Sequence, residues 1–345
     1  MAWHCYPINP GGRVVAMTRE TDCRLRAGLL PMVAALLTKG SRGACTVIAA
    51  FMLVLGPIAA TGQSAPAARA TAATNAPALK PVDAVAHARI SRWQPIFRGV
   101  EMCEGSTEVP RRLQVRAVRV DLREPTISFL VTPRIGGGTN AWGGRTTSEF
   151  LTEFKCQVAL NGSAFDVFAK KRGDPMRVED LSLSRGDLYL SSNKWDALLI
   201  STNHRAWVAR APVDVAGAYD GLSGFRALLI NGRNNGTMAK RDPRSAVGIS
   251  RNGRYLILVA IDGRQPGYSE SVSTGETAEW MRKLGAYNAL NLDGGGSTAL
   301  VIEGPDGSPV VLNRPCGPPP GVQRRVANHL GVFAQRLPDS KTVRR

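Results

Sequence analysis

The sequence predicts an α+β protein, a mostly antiparallel β-sheet core with few helices in a single domain. Three observations lead there. Short β-prone runs broken by Gly, Asn and Pro fill the chain from residue 100 onward. Asn-Gly pairs punctuate several of these runs, and that dipeptide accepts the left-handed backbone of a two-residue hairpin turn. No repeat of fixed period is present, which argues against a solenoid or a propeller.

Residues 113–122 (LQVRAVRVDL) alternate apolar and polar side chains, the period of a half-buried strand. Residues 126–132 (TISFLVT) are a second strand, with Pro125 marking the turn before it. Residues 146–154 (TTSEFLTEF) open with hydroxyl caps and space Phe150, Leu151 and Phe154 as an amphipathic helix does. Residues 156–160 (CQVAL) form a buried strand that stops at Asn161-Gly162, and 188–190, 197–201, 206–209 and 227–230 continue the style. Residues 244–249 and 255–261 flank Asn252-Gly253 as a hairpin. The clearest helix is 276–284 (ETAEWMRKL), with Thr274 as its cap and Gly285 as its stop. Strands at 289–293, 298–303 and 329–334 complete the domain.

Residues 47–60 (VIAAFMLVLGPIAA) are apolar, follow Lys39 and Arg42, and precede small residues, the layout of an export signal. The run is shorter than the roughly 20 residues of a membrane span. The expected organisation is a signal or membrane-targeting segment at 1–62, a flexible Ala/Pro-rich linker at 63–95, the domain at 96–338 and a basic tail at 339–345. The expected location is periplasmic or extracellular, with at most transient or anchoring membrane contact through the N-terminal segment.

The chain carries +17 and residues 1–62 hold six basic and two acidic side chains, leaving +13 on the remainder. Such a surplus favours anionic partners. No basic-aromatic platform, zinc-finger or helix-turn-helix spacing appears, so a nucleic acid is not the expected partner. Of six cysteines, Cys103, Cys156 and Cys316 lie beyond the N-terminal segment; an oxidising compartment permits one bridge, with Cys103 to Cys156 the first candidate. No zinc-ligand spacing is present.

Chemistry concentrates in residues 287–302 (YNALNLDGGGSTALVI). Asp293 follows an apolar strand, and Gly294, Gly295 and Gly296 lead to Ser297. Consecutive glycines let backbone N–H groups approach an anion unobstructed, although the same string also makes a plain tight turn. Arg244 and Arg264 stand beside strand ends, and a guanidinium grips phosphate or carboxylate in bidentate fashion; singly, each also fits a surface ion pair. Asp262 is a second carboxylate at a strand end, or a turn-forming Asp-Gly. Asn161, Asn291 and Asn328 offer amides to a sugar hydroxyl, or serve turns. A Gly-x-Ser-x-Gly elbow is absent, so a serine-hydrolase mechanism has no support.

The strings RSAVGIS from Arg244, LVAIDGR through Asp262, ETAEWMRKLGAYNALNLDGGGSTAL from Glu276, NRP at Asn313 and RRVANHLGVF from Arg324 resemble the phosphodiester glycosidase domain family. The likeness spans roughly residues 100–336 and is specific from Arg244 onward. It implies an exported hydrolase acting on a sugar-1-phosphodiester or related anionic glycan. It matches Asp293, Gly294, Gly295, Ser297, Asn291, Arg244, Asp262, Glu276, Arg325, Asn328 and Asn161 to the family's motifs; the expected roles are Asp293 as reacting carboxylate with Asp262 or Glu276 as its partner, and substrate contacts from Arg244, Arg264, Asn161, Asn291, Gly294, Gly295, Ser297, Arg325 and Asn328. Ser163-Ala164 departs from the family's asparagine-glycine-phenylalanine segment, and 173–224 has no firm counterpart. No cofactor is expected; an alternative puts a divalent cation such as calcium on Asp262 and Asp293. The alternative to catalysis is a cell-envelope module binding acidic polysaccharide.

Overall fold

The computed structural model describes residues 85–136, 142–191 and 194–338. The expected signal at 1–62, residues 63–84 of the expected linker and the tail at 339–345 lie outside the described residues. Strand pairing begins at Arg89–Ile90 and Gln94–Phe97, both against Val100–Thr107, ahead of the domain boundary expected at 96.

Three antiparallel sheets share one core. The largest runs Arg89–Ile90, Val100–Thr107, Leu113–Asp121, Tyr255–Ile261, Arg244–Ser250, Ala286–Asn291, Ala227–Ile230 and Arg233–Asn234 in spatial order. A second orders Asp187–Leu190, Ser182–Ser184, Asp220–Ser223, Ala197–Ile200 and Ala206–Ala209; a third orders Pro309–Val311, Leu300–Glu303, Val158–Asn161, His329–Phe333 and Ser128–Val131. Val118, Val120 and Leu258 from the first sheet, Leu198 and Leu222 from the second, and Leu160, Leu300 and Leu330 from the third pack into a common apolar cluster. Strands apolar on both faces are therefore buried on both.

Each helix covers an outer sheet face. Helix Thr147–Phe154 sets Phe150 and Leu151 against Leu130 and Ala159, while helix Thr274–Lys283 sets Ala278, Trp280 and Met281 against the large sheet. Both begin with a capping box, Thr146 with Glu149 and Ser273 with Glu276. The cap of the second helix is thus Ser273 rather than Thr274, because Ser273 places its hydroxyl on the Glu276 N–H, 3.1 Å away. Cys103 and Cys156 are buried and free, in different apolar clusters. The expected bridge is therefore not formed, and desolvation pushes both thiols up to about 12.

Candidate active site

Register brings the chemistry to one rim. Arg244 pairs with Ile261, immediately before Asp262, and Ala246 pairs with Asn291. The Leu292 N–H then donates to the Ser245 carbonyl at 2.9 Å. Asp293 and Asp262 accordingly leave neighbouring strands on either side of Pro243 and Arg244.

The third sheet meets this rim at Asn161, the last residue of Val158–Asn161. Its amide donates to the Asp293 carbonyl at 2.7 Å and accepts from the Ser245 hydroxyl at 2.6 Å and the Ala299 N–H at 3.2 Å. The Asp293 N–H donates to the Gly162 carbonyl at 3.1 Å. Asn161, expected to touch substrate, therefore has its amide committed to holding Asp293. Asn328 braces the layer behind: its carbonyl oxygen accepts from the Ser163 N–H at 2.7 Å, and a side chain at Gly162 would collide with it.

The glycines after Asp293 admit their neighbours. A Cβ on Gly294 would sit 2.5 Å from the Pro243 carbonyl oxygen and 3.5 Å from the Arg244 Cα. Gly295, at φ +61, lies under the Arg264 guanidinium, and a Cβ on Gly296 would strike the Arg324 guanidinium. Two arginines thus cover the loop. Arg264 is anchored by Asp242 at 2.7 and 3.0 Å; Arg324 rests over the Phe168 ring at 5.3 Å.

Asp293 keeps some exposed surface, but its carboxylate is largely desolvated. Burial pushes its pKa up to about 6, opposed by Ser297, the Gly294 N–H and the Arg324 charge and reinforced by Glu179. The Ser297 hydroxyl lies beside that carboxylate without a hydrogen bond of good geometry. A carboxyl poised near neutrality can give or take a proton.

The other two expected carboxylates are committed elsewhere. Asp262 is 1 % exposed and accepts from Asn313 at 2.9 Å, Tyr268 at 3.2 Å and the Arg314 N–H at 3.0 Å on both oxygens. These four contacts use about all its lone pairs, so Asp262 ties the 313–314 segment to the sheet. Glu276 is fully buried, joined to Arg111 at 2.5 Å and to the Ser273 N–H at 2.7 Å. It anchors the helix. A carboxylate that acts electrostatically on Asp293 is Glu179, in the stretch for which the family resemblance offers no firm counterpart.

Two further expectations change. Arg325 points away from the loop, pairing with Glu149 at 3.0 Å, while its neighbour Arg324 reaches Gly296. Arg244 has its backbone against Gly294, but its side chain lines an adjacent cavity together with Asn291. Among the described residues no group of three or more His, Cys, Asp or Glu is placed to hold a metal ion.

A β-core whose rim joins a desolvated carboxylate to an arginine-covered glycine loop offers positive charge and backbone donors to an anion. The phosphodiester glycosidase family matches residues 154–333, more than half of the chain, and the chain belongs to that family. A 61-residue stretch is 41% identical to N-acetylglucosamine-1-phosphodiester alpha-N-acetylglucosaminidase of Bos taurus and 43% identical to that of Mus musculus. That stretch is 18% of this chain and spans only 11% of either relative's length. The zebrafish enzyme of that name, solved as a catalytic domain auto-inhibited by its pro-peptide, superposes with a TM-score of 0.55 at 19% identity, covering 72% of this chain and 89% of that one. A hypothetical protein from Synechocystis superposes with a TM-score of 0.51 at 17% identity, covering 69% and 62%. Both structural likenesses speak to the fold alone.

Proposed function

We propose that the protein is an exported hydrolase that cleaves the glycosidic bond of a sugar-1-phosphodiester or a related anionic glycan. The observation carrying this reading is the desolvated Asp293 carboxyl, with a pKa of about 6, fixed by Asn161 beside a loop covered by Arg324 and Arg264. In the reaction the bond between the anomeric carbon and the phosphate oxygen breaks, and the phosphate leaves with the electron pair. Water adds its hydroxyl to the anomeric carbon, and its remaining proton passes to Asp293 and ends on the released phosphate monoester or in solvent. A phosphate monoester is already a good leaving group, so the two guanidinium groups, by neutralising its charge, replace much of the acid assistance an alcohol would need. Asp293 supplies electron density to the anomeric carbon, directly or through a water that it deprotonates. Glu179, whose charge acts on Asp293, is the carboxylate that would pair with it in this reading. Names and family membership of the relatives support the substrate class, and residues 47–60 support a periplasmic or extracellular location.

The test is to incubate the purified protein with a panel of sugar-1-phosphodiesters and assay released reducing sugar. Release from at least one of them, abolished in Asp293→Ala with the fold intact, is the expected result; undiminished release in that variant removes Asp293 from the reaction.

A further inference from the structure

Beside the Asp293 loop lies a cavity of about 650 Å³ whose chemistry the hydrolytic step does not use. Trp195 and Phe225 form one wall, with ring centroids 4.9 Å apart at 61°. Lys194, Arg226 and Arg244 bring three cations to the lining, and among the described residues no carboxylate belongs to it. The Arg244 guanidinium is half-buried and donates to main-chain carbonyls, those of Lys240 at 2.9 Å and Val272 at 3.4 Å; the Asp242 charge acts on it, but among the described residues no carboxylate is in ion-pair contact with it. Lys194 sits 4.0 Å above the Trp195 ring and 3.8 Å from Glu179.

Asn291 supplies the independent sign of a ligand. It is 3 % exposed, it lines the cavity, and among the described residues its side-chain oxygen has no hydrogen-bond partner. A buried acceptor left unpaired is unfavourable until a donor completes it, and a ring hydroxyl is such a donor. Asn291 ends its strand two residues before Asp293, which keeps their Cα atoms within about 7 Å, so a ligand resting on it lies next to the reacting carboxylate. The aromatic wall suits the apolar face of a ring, and a half-buried guanidinium with no carboxylate in direct contact suits a negative substituent.

We propose that this cavity is a subsite for an anionic glycosyl unit, one that carries its own carboxylate or phosphate in addition to the bond being cleaved. Arg244 reads the charge and Asn291 accepts a ring hydroxyl. The inference rests on the hydrolase reading only for the placement of this unit next to the scissile bond; the selectivity for charge is a property of the cavity.

The test uses the full chain bearing Asp293→Asn, so that binding is measured without turnover. Glucuronic acid, glucose 6-phosphate and glucose are titrated separately by calorimetry. At least one charged sugar is expected to bind about tenfold tighter than glucose or better, as a charge-assisted contact requires. Adding Arg244→Gln removes the preference, Arg244→Lys retains part of it, and Asn291→Ala weakens charged and neutral sugars alike. Preference for only one charged sugar identifies the substituent as carboxylate or phosphate. Equal binding of glucose, no binding of any sugar, or a preference that survives Arg244→Gln overturns the proposal; should Arg244→Gln fail to fold, full preference in Arg226→Gln with a reduced one in Arg244→Lys supports the proposal, and an undiminished preference in Arg244→Lys overturns it. Charged-sugar selectivity with no phosphodiester turnover in the unsubstituted protein would sink the hydrolase reading and leave this one standing.

Discussion

The Asn161 amide donates to the Asp293 carbonyl at 2.7 Å, joining the last residue of a strand in one sheet to the acidic residue at the rim of another. Because the same amide accepts from Ser245 and Ala299, the position of Asp293 is set by three segments at once. Asn161→Ala strands those donors inside the protein. It is expected to lower stability by about 2–3 kcal/mol, as unpaired buried groups do, and to reduce kcat more than it raises KM. Urea denaturation with steady-state kinetics checks both; unchanged kcat would show that Asp293 needs no such brace.

The two adjacent arginines separate by role. Arg324→Ala removes a guanidinium from Gly296 and is expected to lower kcat by about 10²–10³-fold, the loss typical for a charge-stabilising donor. Arg325→Ala breaks the pair with Glu149, which is partly exposed on both sides, and is expected to cost about 1 kcal/mol or less with little effect on kcat. Kinetics of the two variants side by side decide the assignment, and the reverse ranking would contradict it.

Most of the strands and both helices were legible because their signals are local. Ala206–Ala209, Ala227–Ile230 and Tyr255–Ile261 match the expected bounds, and the Asn252-Gly253 hairpin closes with Ile249 opposite Leu256. Val100–Thr107 reads VEMCEGST and Asp220–Ser223 reads DGLS; acids, glycine and small hydroxyls hide strands that only sheet pairing stabilises. In the site, Asp293 and its glycines were visible as one string. Arg324 was not separable from Arg325, since neighbours in an extended segment point to opposite sides and nothing in RRVAN sets the phase. Asp262 and Glu276 carry the right chemistry, but the partners that saturate them, Arg314 and Arg111, come from remote parts of the chain. Glu179 reaches Asp293 only through tertiary structure.

Glu276 provides a clean separation of structure from chemistry. Its pair with Arg111 has side chains 0% and 7% exposed, so Glu276→Gln leaves a buried guanidinium without a counter-charge. Breaking such a pair costs about 3–5 kcal/mol, to be seen as a lower Tm. The folded fraction of that variant, measured below its Tm, is expected to keep most of its turnover. A dead but stably folded Glu276→Gln protein would return Glu276 to the reaction.

The raised pKa of Asp293 has a stability cost of definite sign. An acid whose folded pKa, about 6, exceeds its ordinary value of 3.8 stabilises the fold below pH 3.8, and that stabilisation is lost as pH rises through 6. The loss is about 3 kcal/mol by linkage. Asp293→Asn removes the titration, so its stability relative to the natural protein is expected to increase between pH 4 and pH 7. Equal differences at the two pH values would mean the carboxyl is not desolvated.

His329 carries the opposite sign. Stacked on Phe150 at 4.6 Å and fully buried, its imidazole is held down to about 3 by desolvation. Stability from this group is present above pH 6.5 and falls as pH drops toward 3. Replacing it by Gln should flatten the acid limb of a stability profile, and an unaltered limb would assign acid sensitivity elsewhere.

The pH dependence of kcat/KM on a cleavable sugar-1-phosphodiester, measured for the natural protein and for Asp293→Asn, bears most directly on Asp293 as the reacting carboxyl. The expected profile bends at about pH 6, and the variant loses turnover at every pH while still binding substrate. Turnover retained in Asp293→Asn, with the same bend, would place the chemistry on another residue.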